Sequence, residues 1–67
     1  MPEITINMAV GRTDEQKRAM MLDITTALVT HLGVTPEAVV IQINEASLDN
    51  KMKGGKTFAE RAAAAKG

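Results

Sequence analysis

Residues 2–8, Pro-Glu-Ile-Thr-Ile-Asn-Met, alternate between apolar and polar positions, so that Pro2, Ile4, Ile6 and Met8 share one face and Glu3, Thr5 and Asn7 the other. A period of two over this length predicts a strand with one greasy face. Gly11 breaks the alternation, and Thr13-Asp14-Glu15-Gln16 has the spacing of a capping box: Thr13 as N-cap, Gln16 reaching back, two acids set against the helix dipole. Met20, Met21, Ile24, Ala27, Leu28 and Leu32 then recur at three- and four-residue steps, leaving Lys17, Arg18, Asp23 and Thr30 to face water. This predicts a helix from Asp14 that Gly33 ends in a left-handed cap. Beyond Thr35-Pro36, the run Ala38-Val39-Val40-Ile41-Gln42-Ile43-Asn44 predicts a second strand, more continuous than the first and expected to be buried more fully.

Strand, helix and strand make one α+β unit of βαβ type, with a right-handed crossover and parallel strands. Two strands are not a viable sheet, and one helix covers only one of its faces. The smallest sensible object is a dimer with a four-stranded sheet. Composition sharpens this expectation. The 67 residues include no Cys and one His, so disulfides, thiolate metal sites and metal clusters are not available to support so small a core. With 45% apolar residues, five Met and the single aromatic Phe58, the core is aliphatic and expected to be completed by other copies of the chain. The apolar runs are too short for a membrane span or a signal peptide, which makes the cytoplasm the expected compartment.

The formal charge is zero, which argues against a basic nucleic-acid binder. Neutrality hides an asymmetry: residues 1–50 carry three basic and seven acidic side chains, residues 51–67 five basic and one acidic. Lys53-Gly54-Gly55-Lys56 signals a tight hairpin, and residues 57–65 have helix-forming composition with little apolar periodicity. The chain therefore reads as one domain over 1–67, in which 51–67 form a turn and an arm laid on a neighbour and fraying past Ala62.

Pro2 is the most unusual position for chemistry. A small residue after an initiator methionine allows that methionine to be removed, and the proline nitrogen then becomes a secondary amine. A typical α-amino group titrates near ~8, and an apolar site pulls it toward neutrality, within reach of general-base work. The same proline would serve equally well as an edge-strand residue with no donor to lose. Arg12, in the loop after the first strand, offers a fork of donors to a carboxylate, or is simply solvated. His31 suits the negative end of the helix dipole and needs no further role. The methionines read as adaptable filler, and Gly54-Gly55 as a turn rather than a phosphate nest.

Taken together, Pro2-Glu-Ile-Thr-Ile, Gly11-Arg12-Thr13-Asp14-Glu15-Gln16-Lys17, Val39-Val40-Ile41 and Gly54-Gly55-Lys56 resemble the small 4-oxalocrotonate tautomerase family, over Pro2 to about Phe58. The resemblance implies βαβ subunits packed as dimers that assemble into a hexamer, a small-molecule enol substrate and no cofactor. It implies Pro2 as general base once Met1 is removed, and Arg12 as the arginine that engages a substrate carboxylate. Ala9, through its backbone, would wall the site. The chain departs from the family at a second arginine and at an aromatic residue, whose positions fall on Val40 and Lys51. A valine cannot hold a second carboxylate, which favours a monocarboxylate or a different enol over a dicarboxylate; Lys51, Lys53 or Lys56 from a neighbouring copy are candidates to restore a cation, and otherwise form a solvated edge. Two other readings stay open: a related proline-dependent dehalogenase or decarboxylase, and a non-catalytic oligomeric binding subunit that keeps Met1.

Overall fold

The computed structural model describes residues 1–66, and of Lys66 only the backbone; Gly67, the last residue of the expected arm, lies outside the described residues. Strand β1 (Glu3–Ala9), helix α1 (Asp14–Leu32) and strand β2 (Val40–Ala46) form the βαβ unit. The two strands are parallel, with Ile4 opposite Ile41, Ile6 opposite Ile43 and Met8 opposite Glu45 on the face that α1 covers. Burial alternates along both strands until their last residues, where Met8 and Ala9 are both half-buried and Asn44 and Glu45 both exposed. The second strand is therefore not the more buried one, contrary to the sequence expectation, because one helix shields only one side of the sheet. Its start also moves from Ala38 to Val40. Pro36 opens a 3₁₀ turn over Pro36–Ala38, in which the Val39 amide donates to the Pro36 carbonyl at 3.1 Å.

Helix α1 begins and ends where its sequence signals lie. The Gln16 amide donates to Thr13 Oγ1 at 3.1 Å, the Thr13 amide donates to Gln16 Oε1 at 3.0 Å, and Gly33 takes φ 68°. Met20, Met21, Ile24, Thr25, Leu28 and Val29 are half-buried, whereas Ala27 and Leu32 are exposed and Lys17 is not. The covered face is thus rotated slightly from the stripe expected, toward Lys17.

The C-terminal part folds on itself. A 3₁₀ turn (Leu48–Asn50) leads into a hairpin of β3 (Met52–Lys53) and β4 (Lys56–Thr57), turned by Gly54 and Gly55 at φ 62° and 81°. Two consecutive positive φ values are the mark of a type I′ turn, which glycine adopts without penalty. Helix α2 (Phe58–Lys66) follows, and runs past Ala62, where fraying was expected, because its alanines favour helix strongly. A second capping box starts it. Thr57 Oγ1 accepts from the Glu60 amide at 3.1 Å while Glu60 Oε1 accepts from the Thr57 amide at 3.1 Å, and Arg61 Nη2 donates to the Lys53 carbonyl at 2.7 Å.

The hydrogen bonds from the Thr57 amide and then its hydroxyl hold the Glu60 carboxyl below its ordinary value of 4.5. A carboxyl whose folded pKa is depressed contributes stability that is present above its unfolded pKa and lost as pH falls through the folded one. Acidification from pH 5 to pH 3 is therefore expected to loosen the start of α2. In an NMR titration the Thr57 and Glu60 amides should move over that range, and Glu60→Gln should abolish the movement at Thr57.

Among the described residues no apolar side chain is fully buried, and Leu22, Leu32, Val40 and Met52 are 43–62% exposed. A compact 7.2 kDa domain exposes about 4,100 Å², and this chain exposes 5166 Å². Its radius of gyration is 15.6 Å, against about 11 Å for a globule of the same length. The excess area, about 1,000 Å², is the scale of one specific interface per partner. Each strand of the β1–β2 sheet also has one unpaired edge. A single chain thus leaves apolar side chains and two strand edges open, which a second copy pairing across an edge would cover in part. No helix among the described residues is long and apolar enough to cross a membrane.

Candidate active site

The sheet sorts the candidate residues into two groups. At its N-terminal end, Pro2 is half-buried in line with Ile4 and Ile6, and its carbonyl accepts from the Val40 amide at 3.0 Å. Val40 sits beside it, opposite Glu3 in the register. Met1, joined to the Pro2 nitrogen as an amide, is 86% exposed, so its removal would sacrifice almost no packing.

At the C-terminal end, Ala9 closes β1 opposite Ala46, and the next amide, of Val10, donates to the Ala46 carbonyl at 3.0 Å. Gly11 turns the chain at φ 132° and Arg12 follows, exposed, immediately before the helix cap. With Met8, Gln16, Lys17 and Met20, Arg12 lines a hollow of about 260 Å³. Among the described residues its guanidinium is in no ion pair, which leaves a fork of donors available to an anion.

Seven residue steps of strand, about 23 Å, separate Pro2 from Ala9, and Arg12 lies further on. One chain therefore does not bring Pro2 and Arg12 to a common site. Pro2 and Val40 meet in one chain; Ala9 and Arg12 stand at the far end; Lys51 leaves from that same end, beyond β2. A two-fold axis perpendicular to the sheet would run paired edge strands antiparallel, keep both helices on one face, and bring the N-terminal end of one copy beside the C-terminal end of the other.

Two features were not read from the sequence. Lys51 is half-buried with its amine 5.3 Å from the centroid of the Phe58 ring, and its carbonyl accepts from the Phe58 amide at 2.8 Å. The hairpin register pairs Met52 with Thr57, so extending it by one residue puts Lys51 opposite Phe58. That step was available in the sequence, and it places the chain's one aromatic ring against the lysine that stands where the family pattern has an aromatic. The second feature is Lys17, whose amine lies 2.9 Å from Glu45 Oε1 and 3.4 Å from Asp14 Oδ1. The hydrogen bond to Glu45, first among several causes, raises the Lys17 pKa above its usual 10.5. Twenty-eight positions separate these partners, and no local pattern announces them.

Comparison with known proteins identifies the family and the fold. The family model described as tautomerase enzyme matches residues 2–61. A probable tautomerase of Bradyrhizobium diazoefficiens is 76% identical over 66 residues, covering 98% of each chain. Among solved structures, a chain from work on the 4-oxalocrotonate tautomerase isozymes of Methylibium petroleiphilum is 44% identical with a TM-score of 0.85, covering 94% of this chain and 98% of that one. A heterohexameric 4-oxalocrotonate tautomerase of Chloroflexus aurantiacus is 28% identical with a TM-score of 0.80, covering 90% and 97%.

Proposed function

The chain belongs to the tautomerase family, enzymes of the isomerase class, and on that footing we propose that it is a cofactor-independent enol–keto tautomerase whose active site is assembled between copies of the chain. Pro2, freed of Met1, supplies the base. Its secondary amine takes the proton from the enol hydroxyl, the double bond shifts, and the resulting ammonium returns a proton to the carbon end of the conjugated system. Desolvation at the end of the apolar strand face holds the amine below the ordinary value near ~8, so that it is neutral and competent at physiological pH.

Arg12 of an adjoining copy binds the substrate carboxylate through two parallel hydrogen bonds, and the Ala9 backbone walls the same end. Val40, tied to Pro2 through the backbone with its side chain on the opposite face of the sheet, supplies no second cation. Lys51, reaching in on the C-terminal arm of another copy, places a positive charge near the amine and the developing oxyanion, with Phe58 supporting its stem. The assembly is a homo-oligomer, built from dimers and consistent with a hexamer. The observation that carries this reading is the separation of Pro2 from Arg12 along β1 in a chain that is family-matched from residue 2 onward and, among its described residues, buries no apolar side chain fully.

The substrate is accordingly a monocarboxylate enol of the 2-hydroxydienoate type. One charge-assisted clamp is worth about 1.5–3 kcal/mol, so the lack of a second leaves a dicarboxylate without a gain of roughly 10- to 150-fold. Ketonisation rates for matched enols with one and two carboxylates should be equal within a few-fold or favour the monocarboxylate. Val40→Arg should raise kcat/KM for the dicarboxylate selectively, and a strong dicarboxylate preference in the unaltered protein would remove the assignment of Val40. In the same assay Lys51→Met should lower kcat and move the rising limb of kcat/KM to higher pH, because the loss of a nearby cation raises the amine pKa. Unchanged turnover would remove Lys51 from the site.

A further inference from the structure

Lys17 was expected to face water, yet its side chain is only 18% exposed and stands between two hollows. On one side it lines the cavity of Arg12, Met8, Gln16 and Met20; on the other it lines one of Asp14, Arg18, Met21, Ile43 and Glu45. Its amine holds the Glu45 carboxylate at 2.9 Å, and the Glu45 side chain is 28% exposed, whereas the second partner, Asp14, is fully in water. In the sheet Glu45 is the neighbour of Met8, which is itself a wall of the Arg12 cavity. The Glu45 carboxylate therefore lines one hollow, the Arg12 guanidinium, in no ion pair among the described residues, lines the other, and Lys17 lines both.

We propose that Lys17 is a positioning residue for Arg12: by holding Glu45 it keeps an internal carboxylate from occupying the guanidinium that would otherwise bind the substrate's. This rests on the reading of Arg12 as the carboxylate binder. An arginine fork accepts any carboxylate of suitable geometry, and an intramolecular one competes at high effective concentration. Without Lys17, Glu45 is released to another cation, Arg12 of the adjoining hollow or Arg18 of its own.

The test uses the methionine-free oligomer with a carboxylate enol and its methyl ester. Lys17→Met should raise KM for the carboxylate by roughly tenfold, the scale of one charge-assisted contact, with kcat nearly unchanged and the ester unaffected. Lys17→Arg should keep the KM of the parent. Lys17→Met combined with Glu45→Gln should return KM most of the way to the parent value, because the competing charge is gone although the tie between α1 and β2 is not rebuilt.

A purely structural tie behaves oppositely: the double variant would be no better than Lys17→Met, the ester would suffer as much as the acid, and the proposal would fall. If Arg18 takes Glu45 over, Lys17→Met leaves KM unchanged, which also overturns it. Arg12→Met separates this failure from that of its premise. A raised KM there with an unchanged KM in Lys17→Met rejects the role of Lys17 alone; an unchanged KM in Arg12→Met rejects both.

Discussion

Pro2→Ala in the methionine-free protein is expected to lower kcat/KM for enol ketonisation by about 10²-fold or more, the contribution of a well-placed general base. The substitution leaves an amine at the N-terminus, but a primary one, without the ring that directs its lone pair. It should leave the fold intact. Proline donates no hydrogen bond here, and the carbonyl that accepts from Val40 is retained by alanine. Circular dichroism and sedimentation should match the parent while turnover collapses. A variant as active as the parent would show that the nitrogen at position 2 does no chemistry.

The second large effect is a recovery rather than a loss. Pro2→Ala and Arg12→Ala proteins, each strongly impaired in kcat/KM alone, should regain activity at low substrate concentration when their subunits are exchanged by unfolding and refolding a mixture. With Pro2 and Arg12 at opposite ends of a seven-residue strand, the proposed site has to draw them from different chains. For a site shared within a two-fold dimer, random pairing of equal amounts restores about a quarter of the parental sites, whereas residues acting within one chain restore none. Simple mixing without exchange should recover nothing. Dilution that separates the subunits should likewise abolish the activity of the parent, since a lone chain neither shields its N-terminus nor reaches an arginine.

Much of the architecture was open to reading because it rests on local rules. The alternation over residues 2–8, the capping box at Thr13 and Gln16, the left-handed Gly33 and the Gly54-Gly55 hairpin are each decided by a few neighbouring residues, and each appears in the structure. The capping box at Thr57 and Glu60 has the same spacing as the one at Thr13 and went unread because residues 57–65 lack the apolar stripe that draws attention to a helix. The misjudged burials have one origin. Burial of β2, exposure of Leu32 and the shielding of Lys17 depend on how α1 sits across the sheet, and a periodicity fixes the width of a helix face better than its angle.

The candidate site divides along the same line. Pro2 and Arg12 are conspicuous as residue types, but their separation emerges only when β1 is seen to run straight between them. The Lys17–Glu45 pair is a tertiary contact across 28 positions and has no counterpart in local sequence. Lys51 against Phe58 lies between these cases, since hairpin register predicts the pairing but not the packing of an ammonium over a ring.

The central claim is that a free proline nitrogen performs the proton transfer, and at 67 residues the chain is short enough to be made by chemical synthesis in two forms, one beginning at Met1 and one at Pro2. They differ in whether that nitrogen is an amide or an amine. Both should fold and assemble alike, because Met1 is almost wholly exposed. The measurement is kcat/KM for ketonisation of a monocarboxylate enol by each. The chain that begins at Pro2 should turn the enol over, and the chain that keeps Met1 should be indistinguishable from buffer; equal activity in the two would show that the nitrogen of Pro2 is not the base.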